Sequence, residues 1–398
     1  MRILVSAYAC EPNKGSEPGV GWNWAVELAR IGHDVTVLTR ENNRETIELQ
    51  RVTVPFPNLR FIYYDLPRWA RRWKRRNRGV HLYYLLWQWG AYLIARRLVR
   101  EHHFDRVHHV TFVSVRQPSF MGLLGIPFTF GPVAGGERAP WRLRKSFPLR
   151  GWLRDALRDI ANGMVRFDPL MWLTFSTAEQ IFVTSEATQT VLPRKFHVKT
   201  RVQLAVGLDR TLAIPMRVQR GDGEFRVLYV GTLSYLKGIH LALRAFRIVQ
   251  TQIPGAKLTI IGEGPEEKWL KCTAARLKLD NSVEWRHWIA REELLKQYAH
   301  HDAFLFPSLH DSGGMVVLEA IAAGLPVVCL DIGGPAAIVN RTKGCVVATG
   351  GRGEADVVAD IARALQLYAE TDSPHERRFF PEELAFPRVV AAVTGLGC

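Results

Sequence analysis

Cysteine is scarce in this chain of 398 residues, and the five present, Cys10, Cys272, Cys329, Cys345 and Cys398, are scattered and odd in number. That excludes a disulfide framework and points to a reducing compartment. No Asp-x-Asp pair occurs and no His, Asp or Glu cluster has metal-ligand spacing, so no metal and no other cofactor is expected. No apolar run approaches the ~20 residues that cross a bilayer. The longest uncharged candidate, residues 80–95, is short and contains His81, Gln88 and Gly90. Low-complexity tracts and internal repeats are missing too. The first seven residues run straight into a strand pattern without a cleavage site, so no signal peptide is expected. Acidic residues are in deficit, 38 against 53 basic, which leaves a net charge of +15. Such an excess suits an anionic partner: nucleic acid, a phosphorylated small molecule or a lipid surface.

What is present is a globular composition, 47% hydrophobic and 23% charged, and enough chain for two domains. Short apolar runs at residues 3–7, 35–39, 59–64, 106–111, 128–130 and 180–184 alternate with helical stretches, the first of them at residues 22–31. The scheme restarts at residues 227–230, 257–261, 283–285 and 303–306. Strand and helix alternation predicts an α/β fold with parallel sheets covered on both faces and ligands beyond the carboxyl ends of the strands. Residues 1–208 form the expected first domain, 209–224 a polar linker and 225–375 the second domain. A short segment, 376–398, is broken by Pro381 and Pro387.

The most informative stretch runs from Phe304 to Asp331. An apolar run is stopped by Pro307, the turn Gly313-Gly314 follows, and a helix then leads to a second apolar run. Glycines let bare N–H groups approach a ligand, and the positive end of the following helix faces any anion held there. Asp311 and Glu319, eight positions apart, are placed to hydrogen-bond sugar hydroxyls on either side of a diphosphate.

An acidic residue, seven others and Glu around a glycine turn, followed by Glu-Ala-x-Ala-x-Gly-x-Pro-Val, resembles the donor motif of the retaining glycosyltransferases of family 4. The resemblance covers about residues 1–345 and departs at Asp311, where the family usually carries Glu. It implies a GT-B fold, two Rossmann-like doubly wound domains facing across a cleft. The first would bind the acceptor and the second the nucleotide-sugar, with the C-terminal segment returning to the first. Asp311 would then hold the donor sugar and Glu319 the ribose, while the N–H groups of Gly313, Gly314, Met315 and Val316 hold the diphosphate. The run Val227-Leu-Tyr-Val-Gly-Thr232-Leu-Ser-Tyr-Leu-Lys237-Gly238 resembles the family's second donor motif. Lys237 matches one of two cations that neutralise the leaving diphosphate. Thr232 stands in place of the other, for which Arg138 is a candidate substitute. The resemblance also implies retention by front-face attack, without a metal or a protein nucleophile.

Residues 105–111 resemble the strand end where the family places a histidine beside the transferred sugar. Neighbours on a strand point to opposite faces, so only one of His108 and His109 can face a ligand. His109, nearer the carboxyl end, is the candidate. Two further glycine loops follow first-domain strands, one with Glu17, Gly19 and Gly21 and one with Gly135, Gly136, Glu137 and Arg138. Both are candidate acceptor or phosphate loops.

Residues 68–78 hold seven basic residues, Arg68, Arg71, Arg72, Lys74, Arg75, Arg76 and Arg78, interleaved with Trp69 and Trp73. Basic residues beside tryptophan suit an anionic membrane surface. No nucleic-acid module is recognised, so nucleic acid is not an expected partner. The expected protein is therefore a cytoplasmic glycosyltransferase, peripheral at the inner face of the cell membrane. Its partners would be a nucleotide-sugar donor and a glycan or lipid-linked acceptor for envelope polysaccharide. The alternatives are a GT-B epimerase or phosphorylase and a non-catalytic, membrane-associated scaffold. Nucleotide base, sugar, acceptor, linkage and oligomeric state have no signature in the sequence.

Overall fold

The computed structural model describes residues 1–14, 16–53, 55–67, 79–208, 215, 224–342, 344–370 and 381–394. It divides into two compact units. The first comprises Met1–Gly136, Ile160–Val206 and Phe386–Cys398, the second Glu137–Asp159 and Gly207–Ala385. The basic run 68–78 and all of the 209–224 linker except Pro215 and Glu224 lie outside the described residues.

The first unit holds seven strands: β1 (Arg2–Ala7), β2 (Asp34–Arg40), β3 (Leu59–Tyr64), β4 (Arg106–Thr111), β5 (Phe128–Val133), β6 (Gln180–Val183) and β7 (Thr200–Val202). They form one sheet in the order β3-β2-β1-β4-β5-β6-β7, every pair parallel. Parallel sheets need both faces covered. Along β1, Ile3 and Val5 join a core with Val35, Val37 and Trp24, whereas Leu4 joins the opposite core with Leu38, Trp87 and Phe130. The period of two thus explains why both faces of this strand are apolar. The helix Phe386–Thr394 contributes Phe386, Val389 and Val390 to the first of these cores, with Phe386 edge-on to Trp24 at 5.9 Å.

The second unit holds β8 (Arg226–Val230), β9 (Lys257–Ile261), β10 (Val283–Arg286), β11 (Ala303–Phe306), β12 (Val327–Leu330) and β13 (Cys345–Val347). Their order is β10-β9-β8-β11-β12-β13, again all parallel. In each sheet the chain winds outward over three strands and returns to the far side of the first. The order therefore reverses between β1 and β4 and between β8 and β11, where doubly wound sheets leave room for ligands.

Three expectations need correction. Residues 137–159 group with the second unit although they precede β6 and β7 of the first. The helix expected from residue 22 begins at Ser16, so Gly19 and Gly21 lie inside a helix rather than in a loop. The edge strands β7 and β13, three residues each, carry too little pattern to be recognised.

Candidate functional site

The site is built at the reversal between β8 and β11. After β8, Ser234 caps a short turn of helix, Tyr235–Lys237, by accepting the Leu236 N–H at 3.3 Å. Gly238 follows with φ +67°, and a Cβ there would lie 1.9 Å from the Pro307 carbonyl oxygen. Only glycine tolerates both conditions. The Leu309 N–H donates to the Leu236 carbonyl at 2.8 Å, so the loops after β8 and β11 are tied backbone to backbone. This tie brings Lys237 to Asp311, and their side chains form an ion pair, 22% and 16% exposed.

Asp311 is held from every side. Its Oδ1 accepts the N–H groups of Gly313 and Gly314 at 2.9 and 3.1 Å. Its carbonyl accepts the Gly334 N–H at 3.0 Å, and a Cβ on Gly333 would meet that same oxygen at 2.0 Å. Gly314, φ +77°, caps the helix Met315–Ala322. The first turn leaves the N–H groups of Met315 and Val316 without a partner among the described residues. Two amides expected to hold a diphosphate are thus taken by the Asp311 carboxylate, itself an anion at a positive helix end.

Glu319 departs from expectation. It is buried in the same helix, its Oε1 accepting from Arg291 at 2.9 Å and its Oε2 from the Tyr298 hydroxyl at 3.1 Å. Burial, only partly offset by Arg291, raises its carboxyl above the ordinary value. The carboxylate joins the helices Arg291–Ala299 and Met315–Ala322 and is not open to a ribose in this arrangement.

Thr232 is exposed in the loop after β8. Arg138, the candidate substitute cation, lies 3.9 Å from Asp159 and half exposed. Glu137 is the larger surprise. It is buried in the second unit, with Oε2 3.9 Å from His310 Nδ1 and its Cγ 3.2 Å from where a Gly333 Cβ would stand. It thus flanks the loop that carries Asp311, and no local pattern announces this because the two lie far apart in sequence. Glu137 is a sequence candidate of a first-domain loop; Arg291 and the Gly333-Gly334 pair are residues that sequence reasoning missed. Gly333-Gly334 precedes a proline and carries a recognisable turn signal; Arg291 carries none.

The reversal between β1 and β4 is different. His109 is fully buried, Nε2 hydrogen-bonded with Tyr84 Oη at 3.1 Å and Nδ1 with Ser119 Oγ at 3.2 Å. Burial lowers its pKa to about 3, so it is neutral. His108 is buried on the other face, Nε2 2.8 Å from the Gly131 carbonyl, its pKa lowered by burial to about 4. The expectation that His109 faces a ligand is therefore corrected. Both rings are core residues, because a central strand of a parallel sheet has no open face. Glu17 is half-buried, with its carboxyl raised chiefly by desolvation, against hydrogen bonds from the backbone of Phe112 and Val113. Cβ atoms on Gly19 and Gly21 would meet the carbonyl oxygens of Lys14 and Ala9 at 2.0 and 2.1 Å, so these glycines serve close packing. Gly136 donates its N–H to Thr188 Oγ1 at 3.2 Å and Gly135 accepts from Asn162 at 2.8 Å, both within the first unit.

Two doubly wound parallel sheets, one with a cation and open helix amides at its reversal, define an α/β chain of the GT-B type. Residues 214–378 match the family model for glycosyl transferases group 1. Over 157 residues the chain is 34% identical to a glycogen synthase of Mycobacterium tuberculosis (strain CDC 1551 / Oshkosh), covering 39% of this chain and 36% of that protein. The chain therefore spans about a third of that relative's length. Among solved structures, the lipopolysaccharide outer core galactosyltransferase WaaB in its apo form is similar with a TM-score of 0.64 at 14% identity, over 100% of this chain and 99% of that one. Anabaena HepE in complex with UDP is similar with a TM-score of 0.56 at 17% identity, over 99% of each chain. At these identities the solved structures show the fold.

Proposed function

We propose that the protein is a retaining, metal-independent glycosyltransferase that moves a sugar from a nucleoside diphosphate sugar to an envelope, polysaccharide or lipid-linked acceptor. The carrying observation is the convergence of Lys237, the open amides of Met315 and Val316, and the glycine turn on the Asp311 carboxylate. A diphosphate is the anion that suits this cradle better than a carboxylate, because it offers more acceptor oxygens to the same donors. On entry it takes over Lys237 and the amides of Gly313 and Gly314, and the released Asp311 turns to the hydroxyls of the transferred sugar. Lys237 then balances the charge that builds on the leaving phosphate oxygen, where a fixed cation lowers the barrier most. That oxygen takes the acceptor's proton on the face from which it departs, which retains configuration without a protein nucleophile. Glu319 holds Arg291 at the rim of the same unit and reaches a ribose only if that pair opens.

The family match of residues 214–378 and the UDP bound to HepE in its solved complex support a nucleotide-sugar as donor. Residues 225–375 would carry the donor and residues 1–208 the acceptor. The net charge of +15 and the basic run 68–78 support a peripheral position at the cytoplasmic face of the membrane. A thermal-shift panel of nucleoside diphosphate sugars, followed by transfer assays, tests the reading. One donor class should raise Tm, and Lys237→Ala should remove that rise and lower kcat by about 10²–10³. No response to any sugar nucleotide, or full transfer by Lys237→Ala, would sink it.

A further inference from the structure

The helix Leu149–Met164 is inside out. Its Asp155 is fully buried, ion-paired with Arg144 at 2.9 Å and with Arg158. Gly151 packs on the Tyr235 ring, where a Cβ would meet ring carbons at 2.9 Å. Leu149, Leu153 and Leu157 meanwhile stand 82%, 53% and 57% exposed. Spaced four apart they form one row, and the row continues along the same helix with Ile160 and Met164, also exposed. A water-facing helix turns carboxylates out and leucines in. A contiguous exposed apolar row of this kind marks an interaction surface, unlike single exposed residues.

We infer that this helix is a docking element that seats its leucine row in an anionic lipid surface, an assignment that rests on the proposed membrane-peripheral reading. Charge selects the occupant. Residues 138–167 hold eight basic side chains and two acidic ones. Both acids face inward in ion pairs, Asp155 as above and Asp159 with Arg144 at 2.6 Å. Lys145, Arg150 and Arg154 are exposed beside the row and form no ion pair among the described residues. Trp141, also exposed, packs against Trp152 at 5.9 Å near the start of the helix, and tryptophan favours the headgroup level. Amphipathic helices with basic flanks lie in the interface by burying their apolar face among acyl chains while the cations meet anionic headgroups. A second copy of this chain would bring an equally basic surface against it, which charge repulsion opposes.

The test is co-sedimentation with vesicles of phosphatidylcholine containing phosphatidylglycerol, compared with phosphatidylcholine alone. The wild-type chain should pellet with the anionic vesicles and release at high salt. Leu153→Glu/Leu157→Glu should lower partitioning at least about tenfold. Arg150→Glu/Arg154→Glu should lower it less. Both should keep the wild-type Tm, since all four positions are exposed or half-exposed. Undiminished vesicle binding by the leucine variant overturns the assignment while leaving a membrane position intact. Absence of binding by the wild type overturns both. Loss of a dimer in the leucine variant by light scattering, with vesicle binding unchanged, overturns it in favour of a second copy. The nucleotide-sugar thermal shift, read on the same samples, reports separately on the transferase reading.

Discussion

The two strand-order reversals use one topology and opposite chemistry. Between β8 and β11 the chain places Lys237 and Asp311 partly in solvent, over a helix end with open amides. Between β1 and β4 His108 and His109 are buried with partners inside the unit, and the half-buried Glu17 is tied to the backbone of Phe112 and Val113. Glycines divide the same way. Gly238 and Gly314 adopt positive φ in the turns that present Lys237 and Asp311, whereas Gly19 and Gly21 make room for the Lys14 and Ala9 carbonyls. A doubly wound sheet therefore creates the opportunity for a site at each reversal. Whether chemistry follows depends on which side chains are held short of burial.

The sharpest way to break this comparison is to damage each reversal equally. Gly238→Ala forces a Cβ to within 1.9 Å of the Pro307 carbonyl at positive φ, and Gly21→Ala forces one to within 2.1 Å of the Ala9 carbonyl. Each should cost about 2–4 kcal/mol in urea unfolding. Only Gly238→Ala should also abolish the nucleotide-sugar thermal shift, because it pulls apart the loops that pair Lys237 with Asp311. An equal loss of donor response in Gly21→Ala would end the distinction.

His109→Ala should have a smaller effect and of one kind. It opens a cavity and removes one hydrogen bond each from the Tyr84 hydroxyl and Ser119 Oγ, costing about 2–4 kcal/mol of stability at a site that touches no donor group. Donor thermal shifts measured relative to each protein's own Tm should be unchanged. A selective loss of transfer at full donor binding would return His109 to the reaction.

The smallest effect is in the pH dependence. Glu17, half-buried, has a carboxyl raised in the folded chain above its ordinary 4.5, chiefly by desolvation. The folded state then holds the proton at a pH where the unfolded chain has lost it. Its contribution to stability therefore grows as pH falls from above the raised value toward 4.5, and levels off below. Glu17→Gln should flatten that part of a stability-against-pH curve while leaving donor binding alone. An unaltered curve would mean that Glu17 is fully solvated rather than partly desolvated.

Much of the second unit was legible because its signals are local. Pro307, the glycine turn and the apolar helix up to β12 lie within one continuous stretch, and glycine and proline restrict the backbone wherever they stand. The first unit misled where a local signal had a non-local cause. Gly15 to Gly21 has loop composition, yet the chain is helical from Ser16, and Gly19 and Gly21 are there because a Cβ would meet the Lys14 and Ala9 carbonyls. The pair His108-His109 sits at a strand's carboxyl end, but that position says nothing about the Tyr84 and Ser119 side chains waiting in the core.

Sequence alone determined the alternation of strands and helices, hence two parallel sheets, and the residues of the β11 turn, since period and backbone restriction are properties of neighbours along the chain. Tertiary structure alone decided that Asp311 closes on Lys237, that Glu319 is anchored by Arg291 and Tyr298, that Glu137 stands beside His310, and that the leucines of Leu149–Met164 face outward. Each of these depends on groups far apart in sequence, whose meeting is settled by which faces the sheets bury and which they leave to solvent.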